Sequence, residues 1–390
     1  FSDWAKVTIT RHAPQYLLED GELRRSIQPT PLGVVRLKSS ISFLSTFEAV
    51  SKRQPQNERD FFGAIFETLN QREEILQNDE TRLLTPLLFE EAQEYFERSS
   101  KESTLDHADE ALFMRFSEIA YGGVCLPDGS FGKFEHLVVD EVQDVSATQL
   151  ASLIEAVPEP YQLTLVGDTA QQVSEENTFP GWDQLRRRWS LKEEISKFIK
   201  LEVSHRSTYP IMKLADRIQQ RNTIKKGRPG RRPIWFHTRG EEECVGYMLR
   251  WLETGIQKYP HAMTAIICPN LPTAKYALTL LEPTFGSMVR LGDNHSFSFE
   301  EGIVVTDVHQ VKGLEFTNVL LWDVSSRAYP ANRLSQNLLY IGVTRAEENL
   351  ALSSWSKPSP FLPHIHSKMV RGYDFTIEDE EEGNRRIQRS

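Results

Sequence analysis

Residues 137–144 read LVVDEVQD, a short apolar run followed directly by a dense acidic group. Such a run is typical of a parallel strand covered on both faces, with functional residues at its carboxyl end. Adjacent carboxylates there can share the work of nucleotide hydrolysis: Asp140 suits Mg²⁺, and Glu141 suits the attacking water. An exposed acidic turn is the alternative, and these eight residues leave both readings open.

Four later segments carry polar groups near the predicted end of a strand or start of a helix. In residues 165–172 (LVGDTAQQ), the Gln171 amide can donate to a phosphate oxygen and accept from water, which suits a sensor of bound nucleotide. The other three segments are residues 201–208 (LEVSHRST), 306–316 (TDVHQVKGLEF) and 339–346 (LYIGVTRA).

The five segments together resemble motifs II to VI of the UvrD/Rep-like superfamily 1 helicases, in the family's order. DEVQD is similar to DExQD, GDTAQQV to GDxxQ, HRST to YRST, VKGLEF to KGLEF, and YIGVTRA to a Tyr-x-x-x-Thr-Arg-Ala signature. The resemblance covers roughly residues 135 to 355. It implies an α/β protein with P-loop NTPase (RecA-like) motor domains, parallel sheets and a helical N-terminal accessory region.

The resemblance implies an ATP site that requires Mg²⁺. In it, Asp140 would hold the metal, Glu141 would be the catalytic carboxylate, and Gln171 would sense the γ-phosphate. Phosphoryl transfer builds negative charge on the equatorial oxygens, so these roles agree with the chemistry of the side chains.

Two arginines would complete this site as arginine fingers, Arg206 and Arg345. Gly313 and Glu315 of the KGLEF segment would contact the nucleotide, with Glu315 at the ribose. A guanidinium group stabilises phosphate charge without changing its protonation. A strand-end salt bridge for Arg206 and a helix-surface ion pair for Arg345 are the structural alternatives.

The resemblance also implies contacts to single-stranded DNA. Thr306 and His309 stand just before KGLEF, where the family contacts the strand backbone, and Trp182 stands where the family places a base-stacking aromatic. Trp182 could equally be a core residue. The basic stretch 225–232 (KKGRPGRR) could line a phosphate path or form a solvated loop.

Four regions are predicted along the chain. Residues 1–130 are a helical accessory region with part of the first motor domain, and 131–195 are the remainder of that domain. Residues 196–357 form the second motor domain. Residues 358–390, which contain three prolines and the acidic run 378–382, are predicted to be a flexible tail.

The overall composition limits the class of protein. A net charge of −10 argues against a broadly basic nucleic-acid coat and leaves room for a local basic groove. Cys125, Cys244 and Cys268 lack metal-ligand spacing, which favours reduced, buried thiols in a cytoplasmic protein. No apolar run approaches the roughly 18 residues that cross a bilayer, so no membrane partner is predicted.

The sequence lacks the loop GxxxxGK[ST] with which such an enzyme holds the phosphates. Its only Gly-Lys pair, Gly132-Lys133, is followed by Phe134, with Pro127 where the first glycine should stand. Because the sequence opens without Met, we expect the loop to lie upstream and this chain to be a fragment with little activity alone. A decayed nucleotide site is the alternative.

The sequence therefore predicts part of an ATP-dependent helicase or translocase on single-stranded DNA. The interval 208–303 is too short for the large insertion of UvrD, and this layout is closer to HelD-like proteins, which act on RNA polymerase. An RNA polymerase remodelling ATPase is thus the second hypothesis. A non-catalytic scaffold with the helicase fold is the third.

Overall fold

The computed structural model describes most of the chain. The described residues are 18–19, 22–26, 28–53, 60–78, 84–125, 130–172, 179, 181–192, 194–201, 203–293 and 297–376. Within these ranges, no helix is both long enough and apolar enough to cross a membrane.

The chain forms two compact units. The first comprises Phe1–Thr169 and Ser174–Phe198, and the second comprises Ala170–Val173 and Ile199–Ser390, as far as these are described. The short segment Ala170–Val173 belongs to the second unit although the chain on both sides of it belongs to the first. This segment includes Gln171, one of the predicted site residues.

Most of the first unit is helical. A short hairpin of β1 (Leu18–Glu19) and β2 (Glu22–Leu23) precedes six helices. Several of these helices begin at a side-chain cap, such as Asp106 with its reciprocal partner Asp109. The helices are α1 (Leu32–Lys38), α2 (Ile41–Arg53), α3 (Phe61–Asn70), α4 (Arg72–Asn78), α5 (Pro86–Glu102) and α6 (His107–Tyr121).

A phenylalanine-rich core holds these helices together. Phe47 of α2 stacks on Phe43 of the same helix and contacts Phe61 of α3 and Phe116 of α6, with ring centroids 6.3–6.4 Å apart. Phe61 and Phe116 in turn meet edge to face at 6.0 Å. All four rings are buried. The helical N-terminal region expected from the sequence is therefore present.

Lys38 is a buried charged residue of this helical region. Lys38 Nζ lies 2.7 Å from a carboxylate oxygen of Asp106 and 2.7 Å from one of Asp109. It also lies over the rings of Tyr95 and Phe96, at 4.9 and 4.6 Å from their centroids. Removing a charge from water is costly, so these partners are needed to keep Lys38 inside.

The two carboxyl groups beside Lys38 titrate differently. Burial alone would raise the pKa of Asp106, but the Lys38 charge and hydrogen bonds outweigh it and lower that pKa to about 2. Burial, followed by the charge of Asp106, raises the pKa of Asp109 to about 7. The cluster thus keeps Asp106 ionised and lets Asp109 hold a proton near neutral pH.

The rest of the first unit contains the acidic stretch. Strand β5 (Leu137–Val139) pairs in parallel with β6 (Leu163–Leu165), as their apolar runs predict. The expectation that both faces are covered is wrong in the described part, because Val138 is 63% exposed and Val166, just past β6, is 44% exposed. The remaining elements are β3 (Val124–Cys125), β4 (Phe131–Gly132), α7 (Ala147–Glu155) and α8 (Trp182–Arg188).

The second unit is built on a seven-stranded sheet in which every pairing is parallel. The strand order is β11-β12-β10-β13-β14-β9-β15. The strands are β9 (Ile234–His237), β10 (Met263–Cys268), β11 (Val289–Leu291), β12 (Gly302–Asp307), β13 (Phe316–Leu321), β14 (Ala346–Ser354) and β15 (Arg371–Asp374). A separate parallel pair is formed by β7 (Val203–Thr208) and β8 (Lys226–Arg228).

Helices cover both faces of this sheet, which explains its continuous apolar strands. Ala265 and Ile267 of β10 face one core, while Ile266 and Cys268 face the other. The first core receives α9 (Tyr209–Ile218) and α12 (Arg333–Thr344), and the second receives α10 (Glu241–Lys258) and α11 (Leu271–Phe285). The predicted α/β class with parallel sheets is confirmed.

The predicted flexible tail is wrong for residues 358–376. Phe361 and Leu362 are buried in the core, and β15 adds a parallel strand beside β9. The packing is close at Gly372, where an added Cβ would lie 2.2 Å from the carbonyl oxygen of Ile365. The prolines therefore shape a packed return to the sheet, and the acidic run 378–382 lies outside the described residues.

Replacing Asp109 with Asn should change how stability depends on pH. The pKa of Asp109 is raised from 3.8 to about 7 in the folded protein. The stability that the protonated carboxyl group contributes to folding is therefore fully present below about pH 4 and is lost as the pH rises through about 7. Asn stays neutral, so the variant should lose about 2 kcal/mol less stability than the parent chain between pH 5 and 8. Thermal unfolding followed by circular dichroism at several pH values measures this difference. Glu90→Gln, on the exposed face of α5, is the control, and parallel curves for Asp109→Asn and the parent would contradict the prediction.

Candidate functional site

The acidic pair stands at the carboxyl end of β5, where the sequence placed it. Asp140 is exposed, and one of its carboxylate oxygens accepts from the backbone N–H of Glu141 at 2.8 Å. Glu141 is half-buried and adopts a φ of +52°, in the left-handed region that few residues other than glycine enter. Backbone strain of this kind concentrates at functional sites, because the surrounding structure must maintain it.

Gln143 joins this acidic pair to the next motif, a role that the sequence did not assign. It is fully buried, and its Oε1 accepts from the backbone N–H of Asp168 at 3.0 Å. Its amide donates to the carboxylate of Glu141. Its position two residues after Glu141 was a usable signal, since an amide can donate and accept at once.

Gly167 makes this arrangement possible. An added Cβ there would lie 2.4 Å from Oε1 of Gln143 and 2.8 Å from Cγ1 of Val142. Real Cβ atoms do not approach so closely, so the position requires glycine. The glycine of the GDTAQQ segment therefore allows close approach to the DEVQD segment.

Gln171 and Arg345, two predicted nucleotide contacts, meet inside the second unit. Nη2 of Arg345 donates to Oε1 of Gln171 at 2.9 Å, and Nη1 donates to the carbonyl oxygen of Leu314 at 3.1 Å. Arg345 is only 1% exposed, so it is not the helix-surface ion pair considered as its alternative. A buried guanidinium with fixed acceptors is held in one orientation.

Two further side chains fix the Gln171 segment, and the sequence did not single them out. Lys312 Nζ donates to the carbonyl oxygen of Gln171 at 3.0 Å. Asn337 donates to the carbonyl oxygen of Gln172 at 2.8 Å. Lys312 lies in the matched KGLEF segment, whereas nothing in the sequence around Asn337 indicated its role.

Arg206 and Glu315 form an ion pair with each other in the second unit. The Arg206 side chain is 45% exposed and that of Glu315 is 32% exposed. The salt bridge considered as the alternative for Arg206 therefore exists, and its partner is a predicted nucleotide contact. Gly313, two residues before Glu315, is exposed with a φ of +80°, which favours glycine.

The predicted residues of the second unit do not all lie at the carboxyl ends of strands. Glu315 and Arg345 directly precede β13 and β14, and the N–H of Phe316 donates to the carbonyl oxygen of Arg345 at 3.0 Å. His309, in contrast, follows the carboxyl end of β12. Residues 308–315 therefore run from the carboxyl end of one parallel strand to the amino end of another.

The predicted nucleic-acid residues have different surroundings. Thr306 is fully buried in β12, where its hydroxyl donates to the carbonyl oxygen of Gly292 at 2.7 Å. The predicted DNA contact at Thr306 is therefore wrong in this structure, because a fully buried side chain cannot reach DNA at the protein surface. His309 is exposed.

Trp182 is half-buried at the start of α8. Its ring lies 5.5 Å from that of Phe179 and 5.8 Å from that of Phe198. It packs against the core of the first unit, and Phe198 beside it is 53% exposed. Trp182 thus has features of both a core residue and a surface aromatic.

No group of three or more His, Cys, Asp or Glu side chains in the described ranges is arranged to hold a metal ion. Mg²⁺ commonly binds to one or two carboxylates together with water and substrate phosphates, so the exposed Asp140 fits that mode. Cys244 and Cys268 are free and buried, as predicted.

Two protein-family models match parts of the chain that contain these segments. The model of the UvrD-like helicase C-terminal domain matches residues 302–353, which contain KGLEF and VTRA. An AAA domain model matches residues 122–177, which contain DEVQD and GDTAQQ. These two matches support the resemblance to UvrD-like superfamily 1 helicases over residues 122–177 and 302–353. The matched domains are those of helicase-type, nucleotide-dependent enzymes, and the expected P-loop NTPase-like fold is confirmed with them.

Among solved structures, the chain is similar to the C-terminal domain of a possible DNA helicase from Lactobacillus plantarum WCFS1. The identity is 24%, the match covers 43% of this chain and 97% of that chain, and the TM-score is 0.36. At that score the likeness supports no conclusion about fold or function. No curated protein matches the chain.

Replacing Gly167 with Ala should separate the two motifs of the first unit. The new Cβ would displace Gln143, so we expect a loss of roughly 1–3 kcal/mol in stability. The backbone N–H of Asp168 would lose its acceptor, so its hydrogen exchange should become faster. Gly255→Ala is the matched control, since an added Cβ there meets nothing within 4 Å. Unchanged exchange at Asp168 in Gly167→Ala would contradict the prediction.

Proposed function

We propose that this chain acts as part of an ATP-dependent helicase or translocase on single-stranded DNA. The observation that carries the proposal is the 2.9 Å hydrogen bond between Arg345 and Gln171. These are the two groups expected to meet the γ-phosphate, and they are separated by 174 residues in the sequence. Their contact within one unit favours a shared function over two unrelated structural roles.

The two arginines suit phosphoryl transfer in different ways. Arg345 is buried and held by Gln171 and Leu314, so it offers a fixed charge to the developing charge on phosphate oxygens. Arg206 is half-exposed and pairs with the carboxylate of Glu315. In the proposed mechanism, Arg206 exchanges this carboxylate for a phosphate when nucleotide binds, because a guanidinium group binds both anions in the same geometry.

The acidic pair of the first unit has the groups that metal binding and water activation need. Asp140 would hold Mg²⁺ through water and together with the phosphates of ATP, which is the mode that its exposure and single carboxylate allow. Glu141 would orient and polarise the attacking water, and its contact with Gln143 keeps its carboxylate in place.

Contacts to DNA are assigned to exposed groups. His309 is exposed just before the KGLEF segment, and Trp182 with its neighbour Phe198 offers aromatic faces on which bases can stack. Arg188, at the end of α8, pairs with the buried Glu48 at 2.6 Å, which anchors the helix that begins at Trp182.

The proposal requires a phosphate-binding loop, and residues 1–390 contain none of the form GxxxxGK[ST]. Experiments should therefore use the longest open reading frame that includes these 390 residues. That protein should hydrolyse ATP faster when single-stranded DNA is added, and binding to DNA should weaken steeply with salt.

Replacing Glu141 with Gln should abolish hydrolysis and spare nucleotide binding. The amide keeps the size of the side chain but cannot polarise water, so kcat should fall by about 100-fold or more while the affinity for ATP stays within a few-fold. A phosphate-release assay and a fluorescent nucleotide titration measure the two quantities. Glu135→Gln, an exposed carboxylate ahead of β5, is the control.

The same assay separates the competing functions. Absent hydrolysis, or hydrolysis indifferent to single-stranded DNA, would contradict the proposal. Hydrolysis stimulated by RNA polymerase, without duplex unwinding, would favour a polymerase-remodelling ATPase. An intact reading frame without GxxxxGK[ST] would favour a scaffold.

A further inference from the structure

Arg228 is the last residue of β8 and belongs to the basic stretch 225–232. Its guanidinium group is engaged with three partners in the second unit. Nη2 donates to the carbonyl oxygen of Arg206 at 2.7 Å and to that of Glu347 at 3.1 Å. Nη1 pairs with the carboxylate of Glu348. One side chain thus joins β8 to the strand that carries Arg206 and to the start of β14.

These contacts close into a ring. The Arg206 side chain pairs with Glu315, and the carboxyl group of Glu315 lies within hydrogen-bonding reach of Glu347. The backbone of Glu347 then returns to Arg228. Burial, followed by the charge of Glu315, raises the pKa of Glu347, so this carboxyl group favours a proton beside its neighbour.

The ring connects residues from three motif-bearing segments to Arg228. Arg206 lies on β7, Glu315 precedes β13, and Glu347 lies two residues after Arg345 at the start of β14. Arg228 contacts both the Arg206 backbone and the β14 backbone. The position of Arg206 relative to Arg345 therefore depends on a side chain outside the five motifs.

We propose that Arg228 is a positioning residue for the nucleotide step. It holds the backbone of Arg206 and the start of β14 at a fixed separation, so that Arg206 and Arg345 can act on the same phosphate. This inference rests on the proposed function, in which both arginines contact nucleotide. In this proposal Arg228 acts through the backbone of Arg206 and the start of β14, not through a contact of its own with nucleotide or DNA.

The geometry of the contacts requires arginine and not only a positive charge. The guanidinium group presents its donors in a rigid planar fork, which can reach two carbonyl oxygens and a carboxylate together. A lysine at this position would keep the charge and offer one ammonium group on a flexible stem. A phosphate path, the other reading of the basic stretch, would depend mainly on charge.

The test compares two charge-preserving changes in the same stretch, made in the longest open reading frame. Arg228→Lys should lower kcat for DNA-stimulated ATP hydrolysis by about tenfold to a hundredfold, because small misplacements of catalytic groups are costly. The KM for ATP and the affinity for single-stranded DNA should stay within about twofold. The melting temperature should change little, since partly exposed ion pairs stabilise weakly. Arg231→Lys, at an exposed position of the same stretch, should leave all four quantities unchanged.

A double-mutant cycle with Arg206 tests whether Arg228 acts through it. In an Arg206→Ala background, Arg228→Lys should lower kcat by less than about twofold more, since coupled residues are not additive. Additive losses would overturn the inference, as would a change in DNA affinity or melting temperature that accounts for the loss of activity. If the parent protein hydrolyses ATP and Arg228→Lys is fully active, only this inference fails. If the parent protein does not hydrolyse ATP, the proposed function fails and this inference fails with it.

Discussion

The buried guanidinium group of Arg345 is the interaction on which the candidate site depends. A charge that has left water needs fixed acceptors, and Arg345 finds them on Gln171, Leu314 and Ile341. These acceptors belong to three different motifs. Because the buried guanidinium group needs all of them, its burial requires the three motifs to lie close together. The same requirement explains why the short Gln171 segment belongs to the second unit, although the residues on both sides of it belong to the first.

The sheet of the second unit was predictable because its strands are buried on both faces. Runs such as Met263–Cys268 contain little but apolar residues, and this pattern is sufficient to predict a covered parallel strand. β15 was not predictable, since Arg371–Asp374 has no apolar run and its place depends on pairing with β9. The exposure of Val138 was not predictable either, because the sequence of a strand does not show which elements pack on its two faces.

The identities of the site residues followed from the motifs, but their mutual contacts did not. A motif indicates which arginines and carboxylates are candidates for the site, but it does not show which residues far away in sequence they contact. Arg206 and Glu315 were both assigned to nucleotide, and their pairing with each other appears only in three dimensions. Thr306 was misassigned for a related reason, because its hydroxyl is satisfied by Gly292 inside the sheet. Gln143 and Arg228 were missed because their importance depends on what they touch.

The course of residues 308–315 limits how this protein can vary. β12 ends at Asp307 and β13 begins at Phe316, with β10 between these parallel strands. The return must cover about 20 Å along the strands and about 10 Å across them, or about 22 Å in all. Nine Cα steps from Asp307 to Phe316 reach at most about 32 Å, and six steps reach about 22 Å. After a deletion of three residues, the connection would have to run fully extended, with no length left for the turn at Gly313, so the length of this segment is constrained as well as the chemistry of its side chains.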